Sequence, residues 1–374
     1  MRIAIDAHSV GARLGGNETY AINLIEALAE VDQTNLYTLY VTKREAIERF
    51  ANRWPNFSVK QTLPHTPLVR IPLILSRELR RKPVDVLHVQ YTAPPLAPCP
   101  VVTTIHDLAF EHLPETFNRR SWMQLRWTVR RTARQAAQII TVSEYSRQDI
   151  SKTYRIPSDR IAVTPEAASE KFFPVADVDE LKAVREIYGI EGDYILSLCS
   201  IQPRKNLIRL IEAYSLLRRT SLDIKLPRLV LAGNRGWLDN ETLRAAQTQS
   251  IAGDIVLAGY IAEKHLTALY SGATCFVYPS YFEGFGLPIL EAMKCGTPVI
   301  AGNRTSIPEV AGGAALLFDP FDTKSLVDAL QRLLSDPGYR ATLNSEGLRR
   351  STAFSWKTTA RLTLGVYKKA AHGC

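Results

Sequence analysis

Short apolar runs rich in β-branched and aromatic residues alternate along the chain with segments whose apolar residues fall at helical spacing, and that alternation restricts the fold to one class. In the first half, Arg2–Asp6, Leu36–Val41, Val84–Val89, Val101–Ile105 and Gln138–Val142 read as strands. Between the first two, Ala21, Leu24, Ile25 and Leu28 mark one face of a helix, with Asn17 in position to cap it. Strands that are apolar throughout and separated by helices belong to parallel sheets covered on both faces. Past Pro174 an acidic, helix-prone segment starts at Asp177, and the alternation then restarts with Tyr194–Leu198, Arg228–Ala232, Ile255–Leu257, Thr274–Tyr278 and Pro298–Ala301. A chain of 374 residues exceeds what one hydrophobic core usually serves, so the expectation is two doubly wound α/β domains in tandem.

Ligands of such sheets bind beyond the carboxyl ends of the strands, so the residues that follow each apolar run are the candidates. The most informative is Glu283-Gly284-Phe285-Gly286-Leu287-Pro288, with Glu291 three residues further on. Pro288 suits the first turn of a helix, where its missing N–H has no partner to lose, and Gly296 suits the end of that helix. A glycine loop opening onto a helix N-terminus is a ready anion site, with phosphate the obvious guest. Two carboxylates beside a phosphate make sense as binders of hydroxyl groups. Arg204-Lys205 likewise falls between a strand and the helix that starts at Leu207. Alone it reads as a solvated basic turn; beside the glycine loop, two cations would neutralise a diphosphate without a metal ion. Gly15-Gly16 also precedes a helix and reads as a second ligand loop or a plain turn.

His8, His88 and His106 all stand at strand ends. Three such histidines could ligate zinc, but none is paired at i, i+2 or i, i+4, and no acidic residue completes an open site. His106 ends the most apolar strand of this half, followed by Asp107, and is the one singled out for a functional role.

The net charge of +9 is unevenly placed. Arg119, Arg120, Arg126, Arg130, Arg131 and Arg134 have no acid between them and are interleaved with Trp122, Met123, Leu125 and Trp127. This reads either as a basic amphipathic helix for an anionic membrane surface, or as a helix whose Trp122, Leu125 and Val129 pack on the core while the arginines are solvated. No nucleic-acid module or aromatic stacking platform accompanies the charge, which argues against nucleic acid as a partner. Met1 leads straight into a strand, and no run approaches the roughly 20 apolar residues of a membrane span. The expected location is therefore cytoplasmic, with peripheral attachment to the inner face of the membrane. The cysteines at 99, 199, 275, 295 and 374 are scattered and odd in number, which suits reduced thiols.

Taken together, these motifs resemble glycosyltransferase family 4, the retaining, nucleotide-sugar-dependent enzymes of GT-B fold. The resemblance runs from Gly15-Gly16 through Ile105-His106-Asp107, Val142-Ser143-Glu144, Pro203-Arg204-Lys205-Asn206, Leu231-Ala232-Gly233 and Gly259-Tyr260 to the Glu283–Glu291 motif and Cys295-Gly296-Thr297-Pro298. It implies two Rossmann-like domains facing each other across a cleft, with a C-terminal helix crossing back to the first. The implied boundaries are 1–170 for the acceptor-side domain, joined by 355–374, and 171–354 for the nucleotide-sugar domain.

The resemblance also implies roles. Glu291 would bind the ribose diol, and the main chain around Gly259-Tyr260 the base, with Gly233 close by. Glu283 would bind hydroxyls of the transferred sugar, and N–H groups of Phe285, Gly286 and Leu287, next to Gly284, would face sugar and phosphate. Arg204 and Lys205 would stabilise the departing diphosphate, His106 would contact the sugar near its reacting carbon, and Gly16 would approach the phosphates as the domains close. No metal and no cofactor are implied. The subgroup with Pro-Arg-Lys-Asn and His-Asp-Leu is rich in GDP-mannose-dependent mannosyltransferases of surface polysaccharide assembly, so the expected reaction moves mannose onto a lipid-linked or polysaccharide-precursor acceptor. The alternatives are another donor such as UDP-glucose or UDP-GlcNAc, a nucleotide-sugar epimerase, or a noncatalytic membrane-associated scaffold. Two positions depart from the family pattern: Ser200 stands where many members have an arginine, and Pro165-Glu166-Ala167 where many have Pro-Asn-Gly.

Overall fold

The structure, a computed structural model, describes residues 1–12, 15–220, 226–234, 240–247, 251 and 253–373. The chain divides into two compact units, Met1–Glu166 with Ser355–Cys374, and Ala167–Phe354. Each is a doubly wound α/β unit of the expected class.

In the first unit the strands are β1 (Arg2–Asp6), β2 (Leu36–Val41), β3 (Phe57–Gln61), β4 (Val86–Gln90), β5 (Val101–Thr104), β6 (Gln138–Thr141) and β7 (Ile161–Val163), in the order β3-β2-β1-β4-β5-β6-β7. Every pairing is parallel. β4 is buried from end to end, as a strand covered on both faces must be. The order reverses between β1 and β4, which places a crevice at their carboxyl ends. The helix Trp356–His372 belongs to this unit. Its Trp356, Thr359, Ala360, Thr363, Val366, Tyr367 and Ala370 recur every three or four residues and bury one face, packing against the helix Gly16–Val31.

The second unit holds β8 (Tyr194–Leu198), β9 (Arg228–Ala232), β10 (Ile255–Gly259), β11 (Cys275–Tyr278), β12 (Val299–Gly302) and β13 (Leu316–Phe318), in the order β10-β9-β8-β11-β12-β13, again all parallel. Its core is built from inward residues such as Ile195, Leu229, Val277 and Ile300, covered by Leu210, Tyr214, Leu326 and Leu330 from the helices. Here the strand order reverses between β8 and β11.

Three strands lie outside the sequence reading, β3, β7 and β13. All three are sheet edges and only partly buried; β3 mixes polar and apolar residues, and β7 and β13 are apolar runs of only three residues. One cap is corrected. The helix expected to be capped by Asn17 starts at Gly16, and its N-cap is Gly15, at φ 59° and with no side-chain cap. This positive φ, which glycine adopts at little cost, turns the chain there before an asparagine is needed. Of the cysteines, those at 99, 199, 275 and 295 are free thiols, and Cys374 lies outside the described residues.

Candidate active site

The reversal between β8 and β11 brings the basic pair and the glutamate motif together. After β8 the chain runs to a single turn at Pro203–Lys205, and Asn206 follows in the left-handed conformation at φ 58°. Its amide donates to the carbonyls of Pro279 and Pro320, which fixes the turn against the end of β11. Ser280 Oγ and the Tyr281 N–H both donate to the Arg204 carbonyl. The two strand ends are thus laced together by backbone and short side chains before any charge is counted.

The charged groups meet on Glu283. Arg204 Nη1 donates to Glu283 Oε2 at 2.9 Å and to the Phe282 carbonyl at 2.9 Å. Lys205 Nζ donates to Glu283 Oε1 at 2.6 Å and to the Tyr278 hydroxyl at 2.7 Å, while Tyr278 itself donates to Oε1 at 2.9 Å. Lys205 and Glu283 are both buried. Burial alone would push the Glu283 carboxyl up, but Arg204 and Lys205 outweigh it and hold it down at about 2. Burial, and then repulsion from Arg204, push the Lys205 ammonium below its ordinary value, with Glu283 opposing. One carboxylate against two cations leaves a single positive charge in a poorly solvated place, where it acts strongly on an anion.

The loop after Glu283 is also fixed. The Glu283 N–H donates to Thr305 Oγ1, and Ser306 Oγ lies 2.9 Å from the Glu283 carbonyl and 3.0 Å from that of Phe285. Thr305 has a positive φ of 57°. Such strained residues persist where their surroundings overdetermine them, and they cluster at functional sites. Gly286, at φ 101°, caps the helix Leu287–Lys294, with Pro288 in its first turn and Gly296 at φ 74° just past its end. Inside this helix the buried Glu291 accepts from the Tyr270 hydroxyl at 2.9 Å; burial and then the Glu291 charge keep that phenol protonated far above its ordinary range.

The remaining candidates of this unit lie on its other strand ends. Gly233 follows β9 at φ 127°, and a Cβ there would lie 2.0 Å from the Cys199 carbonyl oxygen, so the close approach of two strand ends demands glycine at that position. Tyr260, which follows β10, is 58% exposed.

In the first unit His106 follows β5 and is buried. Its Nε2 is 3.0 Å from Gln90 Oε1, its Nδ1 is 3.2 Å from Glu166 Oε1, and its carbonyl accepts from Ser146 Oγ. The ring is edge-on to Tyr20 with centroids 4.7 Å apart. Gly16 opens its helix with nothing within 4 Å of where a Cβ would stand, so the fold itself does not require glycine there. The other two histidines have separate partners, and His88 stands in the middle of β4, not at its end, because the strand runs on to Gln90. His88 is held between Tyr367 and Thr104, and His8 lies 3.3 Å from Asp6, which pairs with Arg70.

Tyr278, Tyr270, Gln90 and Glu166 were missed as site residues from sequence. Tyr278 carried a signal, a hydroxyl ending an otherwise apolar strand, and the others carried none. The helix Arg119–Gln135 buries Val129, Thr132 and Ala133, packs Trp122 and Leu125 partly against the core, and exposes Trp127 and Met123. The reading in which Trp122, Leu125 and Val129 pack on the core therefore holds, while Trp127 and Met123 stay exposed among the arginines. Among the described residues, no helix is long and apolar enough to cross a membrane.

Comparison with known proteins agrees with this architecture. Residues 14–168 match the model for Glycosyltransferase Family 4, and residues 182–350 that for Glycosyl transferases group 1. The O-antigen chain mannosyltransferase B of Escherichia coli is 35% identical over 267 residues, covering 71% of this chain and 70% of that protein. The serotype-specific mannosyltransferase WbdA of Escherichia coli is 32% identical over 228 residues, which are 60% of this chain but only 28% of that longer protein. Among solved structures, sucrose-phosphate synthase from Thermosynechococcus elongatus aligns over 98% of both chains with a TM-score of 0.79 at 21% identity, a likeness of fold. The chain is a glycosyltransferase, and it belongs to family 4, whose members have the GT-B fold.

Proposed function

We propose that this enzyme transfers a mannosyl group from GDP-mannose, with retention of configuration and without a metal ion, to a lipid-linked or polysaccharide-precursor acceptor. The observation that carries the reading is the Arg204–Glu283–Lys205 cluster at the strand reversal of the second unit. Its surplus positive charge suits a diphosphate, and its carboxylate suits sugar hydroxyls. The mannosyltransferases among the relatives support mannose as the sugar.

In this reading Glu291 takes the ribose diol, oriented by Tyr270, and the chain at Gly233 and Gly259-Tyr260 takes the base. Gly284 lets the backbone approach, so that the N–H groups of Phe285, Gly286 and Leu287 serve sugar and phosphate. Glu283 serves twice, holding Arg204 and Lys205 in place and binding the sugar. His106 contacts the sugar, and Gly16 leaves room for the phosphates. The bond from the anomeric carbon to the phosphate oxygen breaks, the acceptor oxygen bonds to the same face of that carbon, and the acceptor's proton passes to the departing phosphate. Arg204 and Lys205 stabilise the charge that develops on the diphosphate; each 1.4 kcal/mol of such preference is worth about tenfold in rate.

A lipid-linked acceptor is favoured by the basic helix Arg119–Gln135, on which the exposed Trp127 and Met123 stand among arginines. Such a surface suits an anionic leaflet, which attracts each nearby basic residue by about 1 kcal/mol. The test is to incubate the purified protein with GDP-mannose and a mannose-terminated lipid-linked acceptor and to determine the product's anomeric configuration by NMR. The expected result is GDP release that depends on acceptor, with the donor's configuration kept. Inversion, or turnover of a UDP-sugar but not GDP-mannose, would overturn the reading.

A further inference from the structure

The surroundings of His106 fix where its protons are. The Gln90 amide nitrogen lies 3.1 Å from the Asn17 carbonyl oxygen and 3.2 Å from Ser9 Oγ. A carbonyl can only accept, so the amide cannot be turned round and Gln90 Oε1 must face the imidazole. His106 Nε2, 3.0 Å from that oxygen, therefore carries a proton. A neutral ring would then present a bare Nδ1 to the Glu166 carboxylate at 3.2 Å, setting lone pair against lone pair. The contact is favourable only if one more proton lies between them.

We propose that Glu166 is a positioning residue for His106: it shares a proton with Nδ1 and, with Gln90 on the opposite side, holds the imidazole in one orientation at the carboxyl edge of the sheet. Both side chains are nearly shut off from solvent, where such a contact is stronger than in water and a missing partner costs more. Tyr20 and Tyr91 close on the ring, with centroids 4.7 and 5.7 Å away, and Tyr91 does so from a left-handed backbone at φ 61°. Glu166 follows β7, two strands beyond β5, and reaches His106 across the end of β6. The departure noted at Pro165-Glu166-Ala167 thereby gains a task in this chain. That the positioning serves catalysis rests on the proposed contact between His106 and the transferred sugar.

The test compares the full-length wild type with Glu166→Gln and Glu166→Asp. Imidazole 15N NMR, with the His106 signals assigned by their loss in His106→Gln, should show both ring nitrogens protonated in the wild type. In Glu166→Gln, Nδ1 should lose its proton, because an amide can donate to a bare nitrogen. Turnover should fall by about ten- to a hundredfold in Glu166→Gln, as is common when a supporting partner of a functional residue is removed, with KM for the sugar nucleotide nearly unchanged. Glu166→Asp, which keeps the charge, should recover part of the loss and the second proton. Ring signals that do not respond to Glu166→Gln, or a KM that rises in step with the loss of turnover, would overturn the proposal. The nitrogen signals do not depend on which donor is used, so failure of mannosyl transfer with these signals as expected would count against the proposed function alone.

Discussion

The two sheets share a reversal of strand order, and their carboxyl edges differ in how charge is balanced. At the reversal in the second unit, two cations and a carboxylate are bonded to one another with a tyrosine hydroxyl between them. The edge of the first unit carries imidazoles, an amide and hydroxyls, with Gln90 linking His106 to Ser9 and the chain at Asn17, and its carboxylates Asp6 and Glu166 each have a partner, in Arg70 and His106. A parallel sheet supplies a crevice and no chemistry of its own; the residues just past each strand decide what the crevice holds. One edge keeps a surplus positive charge and suits an anion, and at the other each of these carboxylates is matched by a partner of its own.

The largest effect that would sharpen this contrast belongs to the charged edge. Lys205→Ala leaves Glu283 and Tyr278 without their shared partner and removes the surplus charge, and turnover should fall by about 10²–10³-fold, the usual cost of one preorganised transition-state donor. A loss below tenfold in steady-state kinetics would mean that the cluster is structural. Next come two glycines that look alike in sequence. Gly233→Ala forces a Cβ against the Cys199 carbonyl at a positive φ and should cost about 1–3 kcal/mol or more in denaturant unfolding. Gly16→Ala meets open space and should leave stability within about 0.5 kcal/mol while weakening donor binding. Equal losses of stability at both positions would erase that distinction. Glu291→Gln should raise KM for the donor by roughly 10–100-fold with little change in kcat, since a charge-assisted hydrogen bond is worth about 1.5–3 kcal/mol. A loss confined to kcat would contradict a ribose-binding role.

The smallest expected effect separates the two units by pH. Burial, and then the neighbouring His106, push the His88 ring down from 6.5 to about 3. The unfolded chain takes up that proton as pH falls below about 6.5, whereas the folded chain refuses it until about 3. This contribution to stability is therefore complete above 6.5 and drains through that window, by at most about 1.4 kcal/mol per pH unit. The corresponding loss from Glu283 runs only from 4.5 down to about 2. Thermal unfolding between pH 7.5 and 5 should weaken the wild type more steeply than His88→Gln; parallel slopes would show that His88 does not set the difference.

The strand–helix alternation made the fold class legible, and Tyr194–Leu198 and Arg228–Ala232 have the bounds read from sequence because each is a compact run with a distinct residue before it, Asp193 or Pro227. The edge strand β3 was hidden by its mixed pattern, and β7 and β13 by their length of three residues. The residues of the charged cluster could be named, but not their pairing. Arg204 and Lys205 were expected to face a diphosphate and Glu283 a sugar, and a sequence separation of 78 conceals that Glu283 holds Lys205. The contact between His106 and Glu166 was illegible for the same reason, since it depends on two strand ends lying two places apart in the sheet.

The central claim, that the charged edge of the second unit holds a guanosine-linked mannosyl donor, is tested most directly by thermal shift with a panel of nucleotide sugars. A ligand at 100 times its dissociation constant adds about 2.7 kcal/mol to stability. The account predicts that GDP-mannose gives the largest stabilisation in the wild type and loses most of it in Lys205→Ala. A larger stabilisation by UDP-glucose or UDP-GlcNAc, or one by GDP-mannose that survives Lys205→Ala unchanged, would contradict it.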